Sequence, residues 1–133
     1  MASGRDRPLR IVVIDDSDVF VGALRDVLSW SGHFAFVGSA ATGEQGLELV
    51  RAQRPEIVVL DILLPGIDGL ETCRRLQALR PTPFVVLCSV DEDPRVTGAA
   101  LPCPGVPFLH KGYITPASLI RLFEEATAQA VPS

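Results

Sequence analysis

Four charged residues stand where apolar runs end: Asp15 and Asp16 after Ile11 to Ile14, Asp61 after Ile57 to Leu60, and Lys111 one residue beyond Val106 to Leu109. Lys111 is the single lysine among 133 residues; the other basic side chains are eleven arginines. Carboxylates held a few ångströms apart repel by roughly 3–4 kcal/mol at an effective dielectric near 20. A hard divalent ion relieves that repulsion, and Mg²⁺ favours one or two carboxylates together with water and phosphate oxygens. A lysine ammonium brings a point charge suited to a phosphate oxygen. Such a set would let Asp61 attack a phosphoryl donor and become an aspartyl phosphate, with the cation and the amine offsetting charge on the transferring group. The ordinary uses of these residues weigh against that chemistry. Adjacent aspartates at a strand end commonly form turns or caps, and a lone lysine is usually solvated. Their joint placement is what favours a site.

The elements that must position them alternate five times between strand-like runs and helix-period segments. The first strand spans about Arg10 to Ile14. A helix follows from Asp18 to Ser31, with Ser17 as N-cap, Gly32 as its stop, and Val19, Phe20, Ala23, Leu24, Val27 and Leu28 on one face. Trp30, late in this helix, reads as core first and interface second. Phe34 to Gly38 forms the second strand, and Thr42 with Gln45 has capping-box spacing for a helix through Gln53 with Leu47 and Val50 inward. Glu56 to Leu60 is the third strand, Gly69 to Leu79 the third helix, and Phe84 to Ser89 the fourth strand. The last strand lies near Val106 to Leu109, before a helix with Thr115 as N-cap and Pro116 at its first position.

Strands of continuous Val, Ile and Leu between helices indicate an α/β fold: a doubly wound, five-stranded parallel sheet covered on both faces. Ligands of such a sheet gather at the carboxyl ends of its strands. Asp15 and Asp61 are 46 residues apart, and Asp61 and Lys111 are 50 apart. Each interval is two βα units, so strands one, three and five supply the site. The fourth helix region breaks the pattern. Pro94, Gly98, Pro102, Pro104 and Gly105 leave room only for a short helix near Arg95 to Leu101 and an irregular connection. Pro107 removes a ladder donor, which requires the last strand to be at an edge.

Composition narrows the function classes. Hydrophobic residues make up 47%, too rich for disorder, and no apolar run approaches the roughly 18 residues needed to cross a bilayer. A net charge of −4 with scattered arginines argues against a nucleic-acid surface on this segment. Cys73, Cys88 and Cys103 are odd in number and lack metal-ligand spacing, as expected of reduced thiols in a cytoplasmic protein. The expected organisation is a flexible tail over 1–8, one domain over 9–129, and a tail or start of a linker over 130–133.

The segment Val-Val-Leu-Asp61-Ile-Leu-Leu-Pro65-Gly66-Ile-Asp68-Gly69-Leu70-Glu71 closely resembles the phosphoacceptor segment of response-regulator receiver domains. Ile-Val-Val-Ile-Asp15-Asp16-Ser17 and Phe108-Leu109-His110-Lys111-Gly112 are similar to the other two signatures of that family. The resemblance covers about Leu9 to Ala128. Gly69-Leu70-Glu71 and Val37-Gly38 look most like the branch that carries LuxR-type helix-turn-helix output domains. The resemblance implies a flavodoxin-like (βα)5 domain in which Asp61 accepts a phosphoryl group from a histidine kinase or phosphotransfer protein. It implies Mg²⁺ ligation by Asp16, Asp61 and the Leu63 carbonyl, with Asp15 acting through water and Lys111 on the phosphate.

The family also uses a hydroxyl at the end of strand four to follow the phosphate. Alignment from Pro83 assigns that position to Cys88. Counting from Asp61 and back from Lys111 assigns it to Ser89, the preferred reading because a thiol is a poor hydrogen-bond donor. The family's switch aromatic maps to Phe108, which has no hydroxyl and reads equally as a core aromatic. A homodimer through the last strand and the fifth, final helix is a further expectation. A phosphorylation-independent interaction module is the main rival; a small phosphohydrolase is disfavoured because no Gly-rich phosphate loop follows strand one. At most slow self-dephosphorylation is expected, and DNA binding only through a helix-turn-helix lying outside this chain.

Overall fold

The computed structural model describes residues 7–90 and 103–130, with side chains through 128. Five parallel strands, β1 (Leu9–Ile14), β2 (Phe34–Ala40), β3 (Ile57–Asp61), β4 (Phe84–Ser89) and β5 (Phe108–His110), form one sheet in the order β2-β1-β3-β4-β5. The helices are α1 (Asp18–Ser31), α2 (Gly43–Gln53), α3 (Gly69–Gln77) and the final helix α4 (Pro116–Ala130), the fourth among the described residues. A 3₁₀ turn, Lys111–Tyr113, follows β5 directly. The order reverses between β1 and β3, and such a switch point opens a crevice at the carboxyl edge. The expected short helix within Arg95 to Leu101 lies outside the described residues, as do most of the two tails.

Local signals fix the helix ends. Ser17 Oγ accepts from Phe20 N–H at 3.2 Å and Gly32 closes α1 at φ 76°. Thr42 Oγ1 accepts from Gln45 N–H, and Asp68 Oδ1 from Glu71 N–H. At α4 the capping is reciprocal: Thr115 Oγ1 accepts from Ser118 N–H, and Ser118 Oγ accepts from Thr115 N–H, both at 3.0 Å. Each cap satisfies an amide that the first helical turn leaves without an internal partner.

The period of two along each strand sorts side chains into two cores. Val12, Ile14, Val58, Leu60, Val85 and Leu87 pack on the α2/α3 face with Leu47, Val50, Cys73 and Leu76. Ile11, Val13, Ile57, Val59, Val86 and Cys88 pack on the α1/α4 face with Val21, Leu24, Leu28 and Leu119. Continuing the second series past the strand ends places Asp15, Asp61 and Lys111 on the α1/α4 side of the carboxyl edge.

Several boundaries differ from the sequence reading. β2 runs on to Ala40, where the Ala40 carbonyl still accepts from Asp15 N–H. α3 stops at Gln77, because Ala78 and Leu79 turn back with i−3 bonds ahead of Pro81. β5 is shifted to Phe108–His110; Pro107 lies before it and contributes only its carbonyl, to Leu87 N–H. β5 is indeed an edge strand. The inward stripe of α1 is rotated from expectation. Val21, Leu24 and Leu28 are buried, whereas Val19 is 83% and Trp30 80% exposed. α1 meets the sheet along one narrow side, and no described element packs over the other.

Candidate functional site

Asp15 and Asp61 end adjacent strands, and Lys111 opens the turn after the edge strand two places away. The Lys111 Nζ is 2.7 Å from Asp15 Oδ2 and 3.2 Å from Asp61 Oδ2. The second oxygen of each aspartate is held by an amide two residues on: Ser17 N–H donates to Asp15 Oδ1 at 2.8 Å, and Leu63 N–H to Asp61 Oδ1 at 2.9 Å. These short side-chain turns aim both Oδ2 atoms at the same point. Asp15 and Asp61 are buried and Asp16 is exposed at the mouth of the crevice. Asp15, Asp16 and Asp61 each offer an oxygen within 4.8 Å of the others.

The electrostatics follow from this crowding. Burial pushes the Asp61 carboxyl above its ordinary value and the Asp15 charge adds to the rise, while the Leu63 amide and Lys111 oppose it. Burial works against the Lys111 ammonium, but its bond to Asp15 and the two carboxylate charges outweigh that and raise its pKa. Asp15 Oδ2 is sealed from solvent and, among the described residues, accepts no hydrogen bond of good geometry; it meets Lys111 as an ion pair.

Oxygens around a six-coordinate Mg²⁺ lie at most about 4.2 Å apart, twice the ~2.1 Å bond. The three acids offer oxygens within 4.8 Å of one another, so a small inward turn of the exposed Asp16 side chain brings them to that limit. Buried Asp61 with exposed Asp16 beside it is a donor set that fits a hard cation, with Asp15 near enough to act through water. Leu63, the expected carbonyl ligand, lies in the loop next to the acids with its amide turned to Asp61.

Two glycines make the loop after Asp61. A Cβ on Gly69 would lie 2.3 Å from Ile62 Cα and 2.5 Å from the Asp61 carbonyl oxygen. Without one, Gly69 N–H reaches the Ile62 carbonyl at 3.1 Å and α3 starts directly against the end of β3. Gly66 takes φ 78°, and Glu44 from α2 reaches over it to accept from Ile67 N–H at 3.4 Å.

Strand pairing separates the two possible switch residues. Cys88 is the register partner of Asp61 and lies on the α1/α4 face that carries the acids. Its thiol is fully buried, and burial, with the Asp61 and Asp15 charges, pushes its pKa far up. Ser89, also buried, is one residue on and pairs with His110. Phe108 pairs with Leu87 and packs, half-buried, against the α2/α3 core.

The sequence reading brought Asp15, Asp16, Asp61 and Lys111 together, and the structure places all four at one edge. It passed over Phe20 as core. The Lys111 Nζ sits 4.5 Å from the centre of the Phe20 ring, on the first turn of α1. The available signal was position: Phe20 is four residues past Asp16, so a helix starting at Asp18 turns it back over the strand ends. His110 was also missed; its ring nitrogens bond Gly112 N–H and the Val90 carbonyl.

With this geometry in view, the class is plain: a parallel α/β domain with an acid cluster and a lysine at its switch point. The chain belongs to the response regulator receiver domain family, which matches residues 11–124. Among curated relatives, it is 43% identical over 83 residues to the transcriptional regulatory protein AfsQ1 of Streptomyces coelicolor, covering 62% of this chain and 36% of that protein. It is 38% identical over 112 residues to a protein-glutamate methylesterase/protein-glutamine glutaminase of Symbiobacterium thermophilum, covering 84% of this chain and 31% of the relative. The chain thus spans about a third of the length of these relatives. Among solved structures, the signal receiver domain of a NarL response regulator from Mycobacterium tuberculosis superposes with a TM-score of 0.78 at 28% identity, covering 89% of this chain and 98% of that one. A LuxR-family response regulator from Aurantimonas shares the fold at TM-score 0.75 and 24% identity, over 92% of this chain and 86% of the other. No helix among the described residues is long and apolar enough to cross a membrane.

Proposed function

We propose that this receiver domain takes a phosphoryl group onto Asp61 from a histidine kinase or phosphotransfer protein of the cytoplasm, with Mg²⁺ held by Asp16, Asp61 and the Leu63 carbonyl and Asp15 acting through water. The observation that carries the reading is the Lys111 ammonium bridging two buried carboxylates at 2.7 and 3.2 Å, with a third acid alongside. An Asp61 oxygen forms the new P–O bond as the donor's P–N bond breaks, and the imidazole nitrogen leaves with the electron pair and is protonated. Bound Mg²⁺ would supply positive charge to the transferring oxygens. Leu63 N–H keeps one Asp61 oxygen occupied, so Oδ2 is the nucleophile. Lys111, already in contact with Oδ2, then turns to the new phosphate oxygens.

Phosphorylation adds about −1.5 to −2 charge, and two or three charge-assisted bonds at roughly 1.5–3 kcal/mol each reach the ~5.5 kcal/mol of a nearly complete population change. We assign the responding position at the end of β4 to Cys88, on the strength of its pairing with Asp61. A thiol answers a phosphate more weakly than a hydroxyl, so the response at Phe108 and β5 is muted, not absent. The open edge of β5 with half-buried Ile120 and Leu122 on α4 is the surface proposed for a homodimer.

Incubation with Mg²⁺ and acetyl phosphate, followed by intact mass measurement, tests the function. One phosphoryl adduct, lost in Asp61→Asn, is expected. No adduct would overturn the reading and favour a phosphorylation-independent interaction module, and an adduct that survives this substitution would overturn Asp61 as the acceptor.

A further inference from the structure

His110 ends β5 and precedes Lys111. Gly112 N–H donates to its Nδ1 at 2.9 Å, so Nδ1 carries no proton. The neutral ring therefore holds its proton on Nε2, which donates to the Val90 carbonyl at 2.8 Å. The Tyr113 ring stands edge-on to the imidazole at 6.1 Å between centroids. One side chain thus spans the residue after β4 and the turn that carries Lys111. The β4–β5 ladder has its last paired rung at Ser89 and His110; the imidazole extends the tie one residue further on the β4 side. Neither Cys88 nor Phe108 offers a hydroxyl for that purpose.

We propose that His110 is a positioning residue: as an Nε2–H imidazole strut it sets the Lys111 turn relative to the end of β4 and passes movement between them when Asp61 is modified. This rests on the phosphoacceptor reading of the site. The Gly112 bond fixes the backbone of the turn and hence the origin of the lysine side chain. The Val90 bond fixes that turn to the residue that follows Ser89 at the end of β4. A group transfer that needs the ammonium within a fraction of an ångström of the phosphate is sensitive to both.

Two substitutions separate the bonds. In His110→Asn the side-chain oxygen still caps Gly112 N–H but falls short of Val90. In His110→Leu both bonds are lost. We expect ring ¹⁵N shifts of the wild type to show a bare Nδ1 and a protonated Nε2. We expect His110→Leu to slow acetyl phosphate-driven phosphorylation about three- to tenfold, the equivalent of one ordinary hydrogen bond, with Mg²⁺ affinity unchanged. His110→Asn should regain the rate, yet lose the beryllofluoride-induced change in amide exchange at Gly112. A proton on Nδ1, or a His110→Leu protein with wild-type rate and exchange response, would overturn the strut while leaving the phosphoacceptor reading intact. A wild type that takes up no phosphoryl group would overturn that reading, and this one with it.

Discussion

The Lys111 ammonium lies 2.7 Å from an Asp15 oxygen whose side chain has no exposed surface, while the lysine side chain itself retains only 10%. The pair is buried and charge-assisted, so removing one partner leaves an uncompensated carboxylate in the crevice. Lys111→Met is expected to lower stability by about 1–3 kcal/mol in metal-free urea melts. Mg²⁺ should recover part of that loss, since a cation can replace the missing charge; a variant as stable as wild type without metal would contradict this.

Metal binding should stabilise the folded chain by mass action, by about 1.4 kcal/mol at a tenfold excess over the dissociation constant. The melting temperature is expected to rise with Mg²⁺, fall back on chelation, and stay unmoved by Mg²⁺ in an Asp16→Asn, Asp61→Asn double variant. A thermal shift of equal size in that variant would place the ion elsewhere.

Asp61 gives a pH dependence of defined sign. Its carboxyl is raised above the ordinary value of 3.8, so the folded chain binds the proton more tightly than the unfolded one. Stability then falls as pH rises from that ordinary value through the raised one, and the penalty is fully present above it. Asp61→Asn should therefore be more stable than wild type at neutral pH without metal, with the difference closing as pH drops below about 4. Denaturant melts of both proteins across that window decide it.

Cys88 and Ser89 are separable by substitution. Cys88→Thr places a hydroxyl on the face of Asp61 and is expected to enlarge the beryllofluoride response of amide exchange in β5, at a stability cost within about 2 kcal/mol. Ser89→Ala should leave that response as it is. The reverse pattern would return the position to Ser89.

Gly69→Ala sets a Cβ against backbone atoms at 2.3 and 2.5 Å, which cannot rotate away as a side chain would. A loss of about 3 kcal/mol or more is expected in urea melts. A smaller loss would mean that α3 withdraws from β3.

The site was legible because buried parallel strands are nearly all apolar, so a charge that closes such a run marks the carboxyl edge: Asp15 and Asp61 could be placed by that rule alone, and Lys111 one residue beyond its run. The last strand was expected at an edge from Pro107 and is one, although Pro107 lies just before it. Facing was harder. Counting to Ser89 from Asp61 and Lys111 crosses connections of arbitrary length, whereas the alternation Phe84, Val86, Cys88 within β4 carries the face directly. The α1 stripe was misplaced because Val19, Val27 and Trp30 are as apolar as Val21, Leu24 and Leu28, and apolar character does not say which row meets the sheet. Phe20 and His110 were hidden by their chemistry, since an aromatic ring in a first helical turn and an imidazole beside a lysine both have commoner roles.

Over the innermost Asp15 oxygen stands the ammonium of a flexible four-carbon arm, with the Phe20 ring of α1 4.5 Å from that ammonium. Moving that ammonium takes rotations about single bonds, which occur far faster than rearrangements of the chain. On the phosphoacceptor reading proposed above, the lysine can exchange one oxygen for another while the strands that carry the acids stay in place.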